Sequence, residues 1–133
     1  MKNSLTKMSL HKQVQYFLQF RGYEIHEQVI LQGKFNQEYN FNYVFWVENS
    51  SNENSCIGVI IKDWKRSCGF DIILQAERIL NEVTGITRIM VIAHRFSGAA
   101  QTLADRIGII TLTSGELVSI FRTYKINPEV IEP

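Results

Sequence analysis

The residues best suited to chemistry lie in GVIIKDWK, residues 58–65. Because side chains alternate along a β-strand, Ile60 and Lys62 are predicted to share one face of a strand in this segment. A lysine that ends a buried strand carries a large desolvation cost unless its ammonium group reaches water or an anion. The pattern therefore predicts that Lys62 lies at an edge of the sheet where it can meet a negatively charged group.

A group of basic residues surrounds Trp64 at the same strand end. Positive side chains beside an aromatic ring suit a phosphate backbone or an unstacked base. A basic residue also ends the next predicted strand, which a βαβ connection could bring to the same edge. The predicted nucleic-acid-binding residues are Lys62, Trp64, Lys65, Arg66 and Arg95. The alternative is that Trp64 packs under a loop while the basic side chains are simply solvated.

The first half of the chain reads as one helix followed by three strands. A helical apolar stripe beginning at Leu10 ends near Gly22, and apolar residues then follow a period of two, imperfectly near Glu27. A second strand is predicted to place Phe41, Tyr43, Phe45 and Val47 on one face and Asn42, Val44 and Trp46 on the other. A polar loop over 48–55 leads to a third strand over about 56–63.

The second half alternates helices with short buried strands. A helical stripe from Ile72 stops at Gly85, and helices follow the strands predicted over 88–93 and 109–112. The order α-β-β-β-α-β-α-β-α predicts an α/β fold with a mixed sheet and helices on both faces. We expect one domain over 1–133, with 127–133 as a loosely held tail.

The sequence resembles the PD-(D/E)-x-K nuclease superfamily, and within it the archaeal Holliday-junction resolvases and Mrr-type restriction endonuclease domains. The likeness rests on the helix running into RGYEI, on IKDWKRSCG and on VIAHRFSGAAQTLADRIGIITLT. In those families the third strand ends in Glu-x-Lys or Gln-x-Lys, often followed by Trp, which is similar to IKDWK here. The resemblance implies a restriction-endonuclease-like αβββαβ core, extended by a further α-β-α, and a tendency to dimerise.

The family's chemistry is metal-assisted phosphodiester hydrolysis, and this chain departs from its residue pattern. An Asp on the second strand and a Glu on the third hold Mg²⁺, while a lysine helps to orient the attacking water. By this resemblance the two acidic positions fall on Asn42 and Ile60, and only Lys62 keeps its expected type. Neither a carboxamide nor a hydrocarbon replaces the charge of a carboxylate. The resemblance therefore predicts a DNA-binding protein or DNA-processing component that has lost its metal site and needs no cofactor.

Two alternatives remain open at this stage. Carboxylates could have relocated, in which case Glu77 on the helix after Lys62, together with Glu38 or Glu48, would bind Mg²⁺ in an active endonuclease or junction resolvase. Asp63 is poorly placed for that role because it alternates to the face opposite Lys62. The protein could instead be a purely structural interaction subunit with no nucleic-acid role, as a homodimer or with a larger protein partner, whereas the first interpretation includes DNA or a DNA-processing protein as its partner.

Composition limits the other function classes. The 133 residues carry a net charge of +1, so no large basic field is available for tight unspecific DNA binding. No apolar run is long enough to span a membrane, and residues 1–12 lack the apolar core of a signal peptide. Two cysteines, Cys56 and Cys68, are too few for a disulfide scaffold. We therefore expect a cytoplasmic protein with reduced thiols and no membrane partner.

Overall fold

A computed structural model describes residues 8–48 and 54–124 as four helices around one five-stranded sheet. The strands are ordered β1-β2-β3-β4-β5; β1, β2 and β3 pair antiparallel, whereas β3, β4 and β5 pair parallel. This confirms the predicted mixed α/β fold and its order of elements. The elements are α1 (Leu10–Phe20), β1 (Ile25–Gln32), β2 (Glu38–Glu48), β3 (Asn54–Lys62), α2 (Phe70–Glu82), β4 (Arg88–Ala93), α3 (Gly98–Ile107), β5 (Ile110–Thr113) and α4 (Ser114–Thr123).

Local signals in the sequence set where the helices begin and end. The side chains of Ser9 and Ser97 accept hydrogen bonds from backbone N–H groups in the first turns of α1 and α3. Thr113 and Glu116 form a complete capping box at the start of α4. Gly108 ends α3 in the left-handed region at φ 81°, which glycine adopts at little cost.

The hydrophobic core is divided by the sheet into two clusters. One cluster joins the sheet to α2 and α3, through residues such as Ile73 and Ala100. The other joins it to α1 and α4, through residues such as Val14 and Leu117. We call these two sides the α2/α3 face and the α1/α4 face. The prediction of helices on both faces is therefore confirmed.

The regular alternation of faces breaks in the middle of β1 and β2. Phe41 packs on the α2/α3 face, whereas Tyr43 and Phe45 pack on the α1/α4 face, so the prediction that all three share one face is wrong. The break lies opposite Gln28, whose backbone has φ 50°. A positive φ departs from extended β geometry, so the alternation of side chains along β1 is interrupted at this residue.

Gly58 on β3 makes room for the displaced aromatic ring. A Cβ atom at this position would lie 2.6 Å from the Phe41 ring, closer than real Cβ atoms approach other heavy atoms. The switch in β2 therefore requires a glycine on the neighbouring strand. It also changes which residues of β2 face the cavity described below.

Some predictions fall partly or wholly outside the described residues. Most of the polar loop and the expected tail at 127–133 lie there, as does most of the segment read for a signal peptide. The third strand begins at Asn54 and ends at Lys62, so Asp63 follows it. No helix within 8–48 or 54–124 is long and apolar enough to cross a membrane.

Candidate functional site

A cavity of about 310 Å³ lies on the α2/α3 face beside Lys62. We call it the Lys62 cavity. Its lining includes Glu38 and Asn40 from β2, Ile60 and Lys62 from β3, and Gln75 from α2. Ile60 and Lys62 thus share one side of their strand, as the alternation of side chains predicts. The N-terminal part of β2, the C-terminal end of β3 and one side of α2 together position these groups.

The lining of the Lys62 cavity is poor in negative charge. Among the described residues that line it, Glu38 is the one carboxylate and Lys62 the one cation. Hard divalent cations such as Mg²⁺ bind oxygen ligands, commonly carboxylates from the protein. No group of three or more His, Cys, Asp and Glu side chains with metal-binding geometry occurs among the residues that the structure describes.

Glu82, the last residue of α2, is hydrogen-bonded to a tyrosine. The Tyr39 hydroxyl donates a hydrogen bond to the Glu82 carboxylate. This hydrogen bond, with a smaller contribution from burial, raises the pKa of Tyr39 above its ordinary value. Glu82 therefore has a defined partner, and it does not belong to the lining of the cavity.

Asn42 occupies a structural position between two strands. Its Oδ1 atom accepts a hydrogen bond from the backbone N–H of Ile61 at 2.8 Å, just beyond the Tyr43–Val59 pair where the β2–β3 register begins. The side chain thus replaces a missing backbone partner of β3. The β2 amide that lines the Lys62 cavity is Asn40, two residues earlier.

The acidic residues considered for a relocated metal site are spread apart. Glu38 lines the Lys62 cavity, whereas the half-buried Glu77 of α2 does not. Glu48 lies at the far end of β2, opposite Asn54. Asp63 lies beyond β3 with its carboxylate 2.5 Å from the His94 ring. The structure thus brings one of these four carboxylates to the cavity.

Asn40 is a polar residue of the cavity lining that the sequence reasoning missed. Perfect alternation through β2 favours residues 42, 44 and 46 as one set, and Asn42 is the polar residue of that set. The face switch changes this assignment for the first part of the strand. Two features of the sequence accompany the switch: the imperfect alternation near Glu27, on the strand that pairs with this part of β2, and Gly58 within β3.

The predicted basic residues lie together where β3 and β4 end. The Lys62 ammonium nitrogen is 5.2 Å from the centre of the Trp64 ring, and the central guanidinium carbon of Arg66 is 4.2 Å from it. Both distances are typical of cation–π contacts. Trp64 is half-buried, while Lys65 and Arg66 are exposed. We call the set Lys62, Trp64, Lys65, Arg66 and Arg95 the basic edge.

Hydrogen bonds fasten the loop after β3 to the loop after β4. The Arg95 guanidinium donates to the backbone carbonyl of Lys65. The N–H of Cys68 donates to the carbonyl of Arg95, and the N–H of Ser97 donates to the carbonyl of Cys68, each at 2.9 Å. The basic edge is therefore built on a paired backbone, which reduces the ordering that a ligand must induce.

Cys68 lies beneath the basic edge and is fully buried. Burial raises the pKa of its thiol above the ordinary value, although Lys62 and Arg66 partly oppose this effect. Because the thiolate is the nucleophilic form, this cysteine is unsuited to covalent chemistry at neutral pH. Its role is in packing between the two loops.

Comparison with known proteins gives two structural likenesses. No protein-family model and no curated protein matches the sequence. The structure is similar to the crystal structure of AF1548, a protein of unknown function, with a TM-score of 0.64 and 19% identity over 91% of this chain and 72% of that one. It is also similar to EndoMS in its apo form, with a TM-score of 0.35 and 13% identity over 69% of this chain and 38% of that one.

Neither of these likenesses establishes a function for this protein. The similarity to AF1548 shows a shared fold, and that protein has no assigned function to transfer. The similarity to EndoMS is too low to support an inference. Membership of the nuclease superfamily therefore stays a prediction from the sequence.

Proposed function

We propose that this protein binds nucleic acid, with duplex or branched DNA as the first candidate, through the basic edge and without hydrolysing it. The observation that carries the proposal is the contact of Lys62 and Arg66 with the Trp64 ring, beside a cavity in which Glu38 is the one acidic residue among the described lining residues. The cations supply phosphate contacts, and the aromatic ring offers a surface for an exposed base. One carboxylate gives a catalytic metal little to bind, because hard divalent cations need several oxygen ligands.

The expected binding is electrostatic and therefore sensitive to salt. The basic edge carries four cations within one short region, although the net charge of the whole chain is only +1. If each cation meets one phosphate, the affinity for duplex DNA should fall by about 10²-fold between 50 and 200 mM salt. A larger loss would require phosphate contacts outside this edge.

A binding measurement with matched variants tests the proposal. Fluorescence polarisation is recorded on labelled duplex, single-stranded and four-way-junction DNA at several salt concentrations. We expect Lys62→Ala combined with Arg66→Ala to abolish most of the binding at low salt and to reduce the salt slope by about 2. Arg106→Ala is the control, because this exposed arginine lies in the last turn of α3, which leads to the start of β5 and not to the strand ends that carry the basic edge.

The alternative functions predict different results in measurements on the same purified protein. DNA cleavage that requires Mg²⁺ or Mn²⁺ and disappears in Lys62→Ala would support an active endonuclease and contradict the proposal. Absence of binding to any DNA or RNA form at low salt would contradict the proposal and leave a purely structural interaction subunit as the remaining candidate function. Equal losses in the Arg66 and Arg106 variants would mean that binding does not involve the basic edge.

A further inference from the structure

Three polar side chains meet on the side of the sheet opposite the Lys62 cavity. Asp63 follows β3, His94 follows β4, and Ser114 follows β5 as the first residue of α4. The ends of these adjacent parallel strands lie at one edge of the sheet. His94 Nε2 is 2.5 Å from Asp63 Oδ1, and His94 Nδ1 is 2.9 Å from Ser114 Oγ.

The hydrogen-bonding chemistry defines the roles of the two ring nitrogens. An ionised carboxylate only accepts hydrogen bonds, so with Asp63 ionised and His94 neutral, the tautomer that satisfies both contacts carries its proton on Nε2, facing Asp63. In neutral His94 the other nitrogen, Nδ1, is then an acceptor, and the Ser114 hydroxyl donates to it. The serine oxygen is thus joined to a base, and the base is oriented by a carboxylate.

This connectivity is that of an activated serine nucleophile. Such nucleophiles require a base within hydrogen-bond reach of the hydroxyl and a third group that orients the base. Serine proteases use the two ring nitrogens in the opposite sense, with Nε2 facing the serine. The chemistry needs only a basic nitrogen at the hydroxyl and an N–H donated to the carboxylate, and both are present here.

The start of α4 places the N-terminal end of a helix, with its backbone N–H groups, beside Ser114. The first N–H groups of an α-helix lack acceptors within the helix, and the helix dipole places partial positive charge at this end. The capping box engages the N–H of Glu116, whereas the N–H groups of Ser114 and Gly115 precede it in the same turn. These two N–H groups belong to the same helical turn as the Ser114 side chain.

We propose that Ser114, His94 and Asp63 form a nucleophilic triad that takes up an acyl group from an activated ester. Ser114 Oγ bonds to the ester carbonyl carbon while its proton moves to His94 Nδ1. The carbon–oxygen bond to the leaving alcohol then breaks, and that alcohol receives the proton. Water reverses the sequence by attacking the acyl-serine, so the ester is converted to an acid and an alcohol.

The setting of the triad indicates the substrate class. The side chains of His94 and Asp63 are 37% and 41% exposed, so the triad is open to solvent and not enclosed in a deep pocket. An open site favours a small activated ester or a flexible acyl chain over a large rigid substrate, because little surface is available to hold it. This activity does not depend on nucleic-acid binding.

Covalent labelling with a fluorophosphonate tests the triad directly. In the labelling step the Ser114 oxygen bonds to phosphorus, fluoride leaves, and the serine proton passes to His94. Mass spectrometry of the digested protein locates and times the adduct. We expect an adduct at Ser114, its absence in Ser114→Ala, and a rate lower by roughly 10²–10⁴-fold in His94→Gln, the usual contribution of a general base.

Ser119 provides the internal control, because it is an exposed serine on the same helix. In the wild-type protein Ser114 should react at least about 10²-fold faster than Ser119, a comparison that needs no variant to fold. Asp63→Asn should slow the labelling of Ser114, and Ser119→Ala should leave it unchanged. Equal reaction at the two serines, or labelling at Ser114 that His94→Gln does not slow, would reduce the cluster to a structural hydrogen-bond network and overturn the proposal.

Discussion

The two sides of the sheet at the end of β3 carry opposite kinds of chemistry. Lys62 lies in a cavity whose other lining groups are mainly neutral, with Glu38 as the one described carboxylate. Asp63, the next residue, lies within hydrogen-bond distance of a histidine that also contacts a serine. One peptide bond therefore separates a cationic site from a nucleophilic one. Adjacent residues in a motif need not serve the same site: Lys62, the last residue of β3, lines the cavity, whereas Asp63, the first residue beyond it, contacts His94.

The two sites also differ in how they are held. The Lys62 cavity is formed by apolar packing between the sheet and α2, around residues such as Ile60 and Val91. The Asp63–His94–Ser114 cluster is formed by hydrogen bonds between partly exposed side chains at three strand ends. Apolar packing therefore sets the shape of the cavity, whereas hydrogen bonds set the relative positions of the three side chains in the cluster.

The largest expected effect is the creation of a metal site in the Lys62 cavity. Asn40→Asp combined with Ile60→Glu would add two carboxylates to the lining that already contains Glu38. We expect Mn²⁺ binding to become measurable by calorimetry, with a Kd on the order of 10⁻⁴–10⁻³ M, the range of weak carboxylate sites for hard cations. In this double variant, both the Lys62 cavity and the region around Asp63 would carry negative charge.

The matched control places one of the two carboxylates two residues further along β2, at position 42. Asn42→Asp combined with Ile60→Glu has the same composition, but the Asn42 side chain is engaged with the N–H of Ile61 and not with the cavity. We expect weaker Mn²⁺ binding and a lower thermal stability than in the Asn40 variant. Stronger binding by the Asn42 pair would show that the face switch in β2 is assigned to the wrong residue.

Single substitutions at Lys62 and Asp63 should have smaller effects, and they distinguish the two sites from each other. Lys62→Gln should reduce the salt slope of DNA binding by about 1, because one phosphate contact is lost. Asp63→Asn should change DNA affinity by less than about threefold, since its exposed charge is on the other face and is screened by salt. It should lower the free energy of unfolding by up to about 1 kcal/mol through a weakened hydrogen bond to His94. Comparable losses of DNA affinity in both variants would contradict the separation of the two sites.

The order of elements could be predicted because each has a clear apolar period. The stripes of α1 and α2, the buried run of β4 and the capping box of α4 are all readable without a structure. The predicted basic edge was also readable, since its residues are close in the chain or follow adjacent strands. The structure brings Arg95 to Lys65 as this reasoning expected.

The face switch in β2 and the Asp63–His94–Ser114 cluster could not be predicted from apolar periodicity. The positive φ of Gln28 depends on its place in the folded sheet, and no feature of glutamine signals it. Asp63, His94 and Ser114 are separated by 31 and 20 residues and meet only because β3, β4 and β5 are neighbours. Periodicity finds strand ends, whereas the order of strands in the sheet decides which ends meet.

The most direct test of nucleic-acid binding at the basic edge uses Trp64 as its own reporter. The chain contains two tryptophans, Trp46 and Trp64, and Trp46→Phe leaves only the one at this edge. Titration of that variant with DNA at low salt should quench the Trp64 emission, with a midpoint equal to that from polarisation and with reversal by added salt. DNA binding that leaves the Trp64 emission unchanged would contradict the account.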